Sequence, residues 1–170
     1  INNTGVTALA GTTNQITASA STGSVTLSIP SAFVAPGSVA VTTSLSKSFT
    51  GSISAAGSTQ GTATALTTDY NVVTTVSASQ GVVLPTAASP FGREVTVVNR
   101  GANPLAVYPA TGASIDGAAA NAAVTIPVNS EISFFSSSTT QWYTTDPIVT
   151  AGTAISVTQG NGQVTIANTG

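Results

Sequence analysis

The residues that could perform acid–base chemistry are five carboxylates, in a chain without His or Cys: Asp69, Glu94, Asp116, Glu131 and Asp146. Two carboxylates a few ångströms apart, one of them with a raised pKa, would suit the hydrolysis of a glycosidic bond. The composition excludes a Ser-His-Asp triad, a Cys-His pair, disulfides and most zinc sites, because each needs His or Cys. A pair of carboxylates is therefore the catalytic arrangement that this composition still allows.

The sequence around these carboxylates indicates structural roles. Asp116 lies in an Ile-Asp-Gly turn, where an Asp side chain typically bonds its own backbone. Glu94 and Glu131 alternate with apolar neighbours and should face solvent, and Asp146 precedes Pro147 at a domain edge. We expect no enzyme activity, no cofactor and no metal. A carboxylate pair formed between two chains, as in a depolymerase, is the catalytic alternative.

Three aromatic residues are candidates for contact with a glycan or with another subunit: Tyr108, Trp142 and Tyr143. If residues 140–145 form a strand, Trp142 and Tyr143 point to opposite faces of it. One of the two could then stack on a sugar while the other packs inward. The large area that an aromatic side chain buries favours the alternative, in which they complete the core or meet another subunit.

The basic residues form no pattern typical of nucleic-acid binding. Arg93 and Arg100 flank the sequence EVTVVN, and this position predicts strand-end residues that face water. The alternative is that the two arginines bind a carboxylate of a neighbouring chain. Lys47 stands alone and indicates nothing by itself. The net charge of −2 provides no electrostatic attraction for nucleic acid.

The chain is unusual in its charge content. Hydrophobic residues make up 41% of the 170 residues and charged residues only 5%, against roughly 25% charged in a typical soluble protein. No apolar run approaches the roughly 18 residues of a transmembrane helix, so no membrane insertion is expected. A surface with few charges is buried against another copy at little cost, because few charges lose their water. The composition therefore favours an assembly of several chains.

Three regions organise the chain: residues 1–50, 51–146 and 147–170. In the first region, alternating apolar residues on either side of a Ser/Thr/Gly break predict a β-hairpin: Ile16, Ala18, Val25, Leu27 and Ile29. We interpret this region as a fibre-type repeat. It has almost no aromatic residues, so its strands should need neighbouring chains.

The third region repeats the hairpin pattern of the first. Residues 154–167 again predict strand, turn and strand, with Gly160-Asn161-Gly162 as the turn. Ile16 and Val25 are nine residues apart, and so are Ile155 and Val164. A repeated hairpin that buries little alone is typical of a stacked or fibrous array.

The central region is predicted to be a small β-sandwich or roll with its own core. Seven short runs rich in Val, Ile, Thr and aromatic residues predict strands: 70–76, 81–85, 93–99, 104–109, 123–128, 131–135 and 140–145. We predict no helix, because the Ala-rich segment near residue 120 is too short to nucleate one. The predicted fold class is therefore all-β throughout.

The two ends of the chain have nearly the same five-residue sequence. Residues 1–5 read INNTG and residues 166–170 read IANTG, so four of five positions match. The chain also begins at Ile1 and contains no Met. We expect one period of a longer repeating polypeptide, with residues 51–146 inserted as a bead.

Several sequence segments of this chain resemble segments of tailed-bacteriophage proteins. The stretches VTALAGTTNQITASASTGSVTLSIP (6–30) and GTAISVTQGNGQVTIANTG (152–170) resemble repeats of phage fibre proteins. REVTVVNRGANPLAVYPATGASIDG (93–117) and QWYTT (141–145) resemble domains of phage and prophage virion proteins. Together they cover most of the chain. The resemblance implies a homotrimer in which three chains wind their apolar faces together.

The resemblance implies a structural protein on the surface of a phage particle, in contact with other virion proteins and acting in display or host attachment. Tail fibre, head fibre and capsid decoration all fit it. It places no catalytic residue on this chain. The alternative function is a carbohydrate-binding adhesin module of a phage or bacterial surface stalk, with sugar on Trp142 or Tyr108. Both functions can coexist in one fibre.

Overall fold

The computed structural model describes residues 8–21, 24–31, 33–145, 152–160 and 163–170. Within these ranges the chain forms fourteen β-strands and no helix, which confirms the predicted all-β class. The described part of the chain accordingly contains no helix with the length and hydrophobicity needed to cross a membrane.

Backbone contacts divide the chain into two units, Ile1–Leu45 and Ser46–Gly170. In its described residues the first unit contains one antiparallel hairpin, formed by β1 (Thr17–Ala18) and β2 (Leu27–Ser28). This is the hairpin that the alternation of apolar residues predicts, although each strand is only two residues long. The predicted boundary after residue 146 lies outside the described residues.

The second unit contains the other twelve strands of the described chain. Each of the seven predicted runs contains one strand, whereas β3, β4 and β9 were not predicted. In chain order the strands are β3 (Phe49–Ser54), β4 (Thr64–Ala65), β5 (Tyr70–Thr75), β6 (Gly81–Val83), β7 (Glu94–Asn99), β8 (Leu105–Tyr108), β9 (Ser114–Ile115), β10 (Val124–Ile126), β11 (Glu131–Ser136), β12 (Gln141–Thr144), β13 (Ile155–Gly160) and β14 (Gln163–Asn168).

Residues 49–108 wind in a β-solenoid-like stack. Strands β3, β5 and β7 are parallel neighbours in a six-stranded sheet of order β3-β5-β7-β11-β12-β9. Strands β4, β6 and β8 are parallel neighbours in a four-stranded sheet of order β10-β8-β6-β4. The chain therefore alternates between the two sheets and returns each time one strand further along. The predicted boundary at residue 50 falls inside β3, because Phe49 and Thr50 pair with β5.

The two sheets share one hydrophobic core. The six-stranded sheet contributes Val73, Val95, Val97, Phe134 and Trp142, and the four-stranded sheet contributes Val82, Leu105, Val107 and Ile126. All nine side chains are fully buried. Strand β7 is buried at every position after Glu94 and is a central strand, between β5 and β11. This core holds the edges and outer faces of both sheets in fixed positions.

The hairpins β1–β2 and β13–β14 have the same register. When Ile16 is aligned with Ile155, every residue pair of the first hairpin falls on a residue pair of the second. The pairs are Thr17–Ser28 and Ala18–Leu27 in the first hairpin, and Ser156–Ala167 and Val157–Ile166 in the second. The repeat predicted from the sequence is therefore present at the level of strand pairing. Gly160, predicted as part of the turn, is the last residue of β13 and pairs with Gln163, while Asn161 and Gly162 lie outside the described residues.

The same β-turn precedes each hairpin. In residues 12–15 and 152–155, the N–H of the fourth residue donates to the C=O of the first, at 3.0 and 3.2 Å. The third residue has a left-handed backbone in both turns, with φ of 58° at Asn14 and 62° at Ala154. The two turns differ by one residue in their position, because the first ends at Gln15, the residue before Ile16, and the second ends at Ile155 itself.

Candidate interaction surfaces

Tyr108 has a structural role in the solenoid. Its side chain is half-buried, and its hydroxyl donates a hydrogen bond to the backbone O of Ser58 at 2.8 Å. Its ring lies against the backbone of Gly81, where an added Cβ would come within 2.7 Å of the Tyr108 ring carbon Cε2. The hydroxyl and one side of the ring are therefore engaged within the chain.

Trp142 lies in the core, which corrects the hypothesis that it contacts a glycan or another subunit. Its side chain is fully buried because strand alternation points it between the two sheets. Its Nε1 has no hydrogen-bond partner among the described residues, and neither has the buried hydroxyl of Ser136, its cross-strand neighbour. The interpretation that this aromatic completes the core is the one that its burial supports.

Tyr143 is exposed on the opposite face of the same strand, as the alternation predicts. Its side chain is 41% exposed, and its ring stacks on Phe135 of β11. The ring centroids are 5.5 Å apart and the planes are inclined by 28°. Of the three aromatic candidates, Tyr143 is the one that presents a ring on an outer surface.

Sequence reasoning missed three further aromatic residues of this outer face: Phe49, Tyr70 and Phe135. Phe49 and Tyr70 are partners in the β3–β5 pair, with ring centroids 6.1 Å apart. The signal for Phe135 was available, because Phe134 and Phe135 are adjacent in a predicted strand and must face opposite ways. No such signal exists for Phe49, since β3 was not predicted.

Four charged residues gather at the amino ends of the parallel strands β3, β5 and β7. Lys47 Nζ donates to Glu94 Oε2 at 2.5 Å, and Arg93 Nε donates to Asp69 Oδ1 at 2.8 Å. This corrects the interpretation of Lys47 as isolated and of Arg93 as an ordinary strand-end residue facing water. The parallel arrangement brings residues that are far apart in sequence to one edge of the sheet.

The pKa of Asp69 is lowered from its ordinary value of 3.8. The hydrogen bond from the Ser48 hydroxyl is the largest cause. Partial burial opposes it, while the hydrogen bond and the positive charge of Arg93 add to it. A general acid for glycoside hydrolysis needs the opposite shift. The environment of Asp69 therefore suits a structural carboxylate.

We predict that Asp69→Asn lowers the free energy of unfolding by about 1 kcal/mol at pH 7, because Ser48 and Arg93 lose a charged acceptor at a partly exposed site. A lowered native pKa stabilises the fold above the unfolded-state pKa, and this contribution disappears as pH falls through the native value. The difference between wild type and variant should therefore shrink below pH 3.8. Denaturant unfolding across this range tests it, with Glu131→Gln as a control. A difference that stays constant down to about pH 2 would contradict the assignment.

The remaining charged residues are engaged locally or exposed. Asp116 accepts hydrogen bonds from the backbone N–H and the hydroxyl of Thr144, at 2.9 and 2.8 Å. This corrects the expectation that its side chain would bond its own turn. Arg100 donates to the backbone O of Asn129 at 3.1 Å, and Glu131 is exposed as predicted. Asp146 lies outside the described residues. Among the described residues, no three acidic side chains cluster to hold a metal.

A groove of about 450 Å³ opens at the carboxyl ends of β4, β6 and β8. Leu66, Leu84 and Pro85 form part of its apolar lining. Gln60 Nε2 lies at its rim and donates to the Thr111 hydroxyl at 3.0 Å. None of the described lining residues is titratable, so the groove provides no acid–base group.

Both hairpins carry exposed apolar side chains at equivalent positions. These side chains are 37% to 68% exposed in the described structure: Ile16, Leu27 and Ile29 in the first unit, and Ile155 and Ile166 in the second. Strand alternation places them on one face of each hairpin, and Thr17, Ser28, Ser156 and Ala167 on the other. The described part of each hairpin thus exposes apolar side chains on one face.

Comparison of the chain with protein-family models, with curated proteins and with solved structures found no match.

Proposed function

We propose that this chain is a structural segment of a β-rich fibre that assembles as a homotrimer. In this proposal the central residues form a small β-sandwich or roll, carried as a bead between hairpin repeats. The hairpins of three chains intertwine, and their apolar faces meet along the fibre. The function is mechanical: display of the fibre, with attachment to a host surface.

The observation that carries the proposal is the combination of exposed apolar faces and absent charge in the hairpin segments. All eight charged residues of the chain lie between Lys47 and Asp146. The segments 1–46 and 147–170 therefore contain no charge that would repel an identical copy or lose hydration on contact. A fully buried Leu or Ile side chain contributes about 1.5–3 kcal/mol, so covering these exposed residues favours association.

The proposal also places the fibre on the outside of a virion. A shaft built from equivalent hairpins, with the polar faces outward, needs no catalytic group and no cofactor. The resemblance of the hairpin and central phrases to phage fibre and virion proteins points to a tail fibre, head fibre or capsid decoration in contact with other virion proteins. This part of the proposal rests on the resemblance.

The molar mass of the purified chain in solution tests the proposal. Light scattering should give three times the chain mass of 16.6 kDa over a range of concentrations. An unboiled denaturing gel should show whether the trimer resists detergent. A compact monomer at every concentration would overturn the proposed assembly.

The second candidate function, a carbohydrate-binding adhesin module, is favoured by a different observation. The exposed pair Phe135 and Tyr143 lies on an outer sheet face, where rings can meet a ligand. An adhesin domain and a fibre shaft can belong to the same chain.

A further inference from the structure

The outer face of the six-stranded sheet carries two exposed aromatic pairs. Phe49 and Tyr70 form one pair on β3 and β5, and Phe135 and Tyr143 form the other on β11 and β12. These four side chains are between 37% and 62% exposed. Within each pair the rings hold each other in position, so their placement is defined before any ligand arrives.

The two pairs lie on either side of the central strand β7. Tyr70 is the partner of Thr96 in the β5–β7 ladder, and Phe135 is the partner of Glu94 in the β7–β11 ladder. The strands that carry Tyr70 and Phe135 are thus two strand spacings apart, about 10 Å. The pairs are also offset by two residues along β7.

A strip of hydroxyl groups separates the aromatic pairs. The hydroxyls of Thr96 and Ser133 lie 2.7 Å apart and share a hydrogen bond. Thr96 is only 7% exposed, whereas Ser133 is half-buried and has the more accessible side chain of the two. The two hydroxyls thus lie between the aromatic pairs, and Val72 and Val98 continue the same face two residues further along β5 and β7.

The alternation of apolar rings and hydroxyls matches a saccharide, whose C–H faces stack on rings and whose hydroxyls bond polar groups. The charged residues around this face distinguish between neutral and acidic saccharides. Lys47 and Arg93, at the amino edge of the sheet, are each paired with a carboxylate, and Glu131 is exposed at the far end of β11. Arg100, which follows β7, is exposed and donates to the backbone O of Asn129 and not to a carboxylate. Because Lys47 and Arg93 are both paired, the amino edge of this face favours a neutral saccharide over an acidic one.

We infer that Phe49, Tyr70, Phe135 and Tyr143 form a binding platform for a neutral polysaccharide. The inference rests on the adhesin function. It assigns the sugar contacts to the outer face of the sheet in place of Trp142 and Tyr108. It is independent of whether the hairpins form a trimer.

Native affinity electrophoresis of the full chain tests the platform with three neutral polymers in the gel, namely hydroxyethylcellulose, dextran and galactomannan. Polygalacturonate provides the acidic comparison. At least one neutral polymer should retard the chain, and polygalacturonate should not. Tyr70→Ala and Tyr143→Ala should each weaken binding about fivefold or more, whereas Tyr143→Phe should retain it. Phe33→Ala is the matched control, because Phe33 is 45% exposed and belongs to the other unit.

Light scattering on every variant separates this inference from the proposed assembly. The platform is supported if binding falls in the tyrosine variants while their molar mass equals that of wild type. Retardation by no neutral polymer, or equal binding by wild type and both Ala variants, would overturn it. A fall in molar mass in these variants would instead identify the face as a subunit contact and would also overturn it. The wild-type mass, measured alone, decides the assembly separately.

Discussion

Trp142→Ala should lower the free energy of unfolding by about 3–5 kcal/mol, the usual cost of removing a fully buried aromatic side chain. Trp142 is the largest of the fully buried side chains and is packed in the core shared by both sheets. A loss of this size is a large fraction of the roughly 5–15 kcal/mol that stabilises a typical domain. Denaturant unfolding at one protein concentration provides the measurement.

Tyr143→Ala is the control for Trp142→Ala. Both residues are aromatic and adjacent on β12, but Tyr143 is 41% exposed. Its removal should cost about 1 kcal/mol, mainly through the lost stacking on Phe135. Trp142→Phe should be milder than Trp142→Ala, because Nε1 has no described partner to lose. Equal losses for Trp142→Ala and Tyr143→Ala would contradict the inward position of Trp142.

Asn99→Ala should cost about 3 kcal/mol or more, because it removes four hydrogen bonds of a fully buried side chain, including the bonds to the buried Ile126 O and Gly101 N–H. The Asn99 side chain is fully buried at the end of β7. Its Nδ2 donates to the backbone O of Asn103, Ile126 and Pro127, at 2.9, 3.1 and 3.2 Å. Its Oδ1 accepts from the N–H of Gly101 at 3.0 Å. One side chain thus joins the end of β7, the following turn and the end of β10.

Two variants sharpen the test of Asn99. Asn99→Asp keeps an acceptor for Gly101 but places oxygen against backbone carbonyls, so it should be at least as destabilising as Asn99→Ala. Asn103→Ala removes a half-buried side chain that donates to the backbone O of Val76, and it should cost about 1 kcal/mol. If Asn99→Ala unfolds within about 0.5 kcal/mol of wild type, the described hydrogen bonds do not stabilise the fold.

Local alternation predicted much of the strand pattern. It identified nine strands of the second unit, including the two of the β13–β14 hairpin, and the hairpin of the first unit. It also placed Trp142 and Tyr143 on opposite faces. It also predicted the exposure of Glu94 and Glu131. These predictions depend only on the period of two residues along a strand, which a single sequence displays directly.

The pairing of distant strands could not be predicted in the same way. Strands β3, β5 and β7 are parallel, and no tight turn between them reveals which residues are partners. The ion pairs of Lys47 and Arg93 follow from this arrangement and were missed with it. Strand β4 has only two residues, too few for alternation to be recognised.

The exposed aromatic residues of the outer sheet face could be predicted in part from the sequence. The adjacent Phe134 and Phe135 required one ring to face outward, as the reasoning for Trp142 and Tyr143 already implied. What the sequence could not show was that Tyr143 lies opposite Phe135 and that Phe49 lies opposite Tyr70. Such cross-strand neighbours are set by register, which comes from the whole sheet.

Assembly through the apolar faces of the hairpins is tested most directly by two matched double variants. Leu27→Lys with Ile166→Lys places charge on the apolar face of both hairpins, while Ser28→Lys with Ala167→Lys places the same charge on the opposite face. Light scattering at one concentration should give the monomer mass for the first variant and the wild-type trimer mass for the second. Equal masses for the two variants would show that the apolar faces do not hold the chains together.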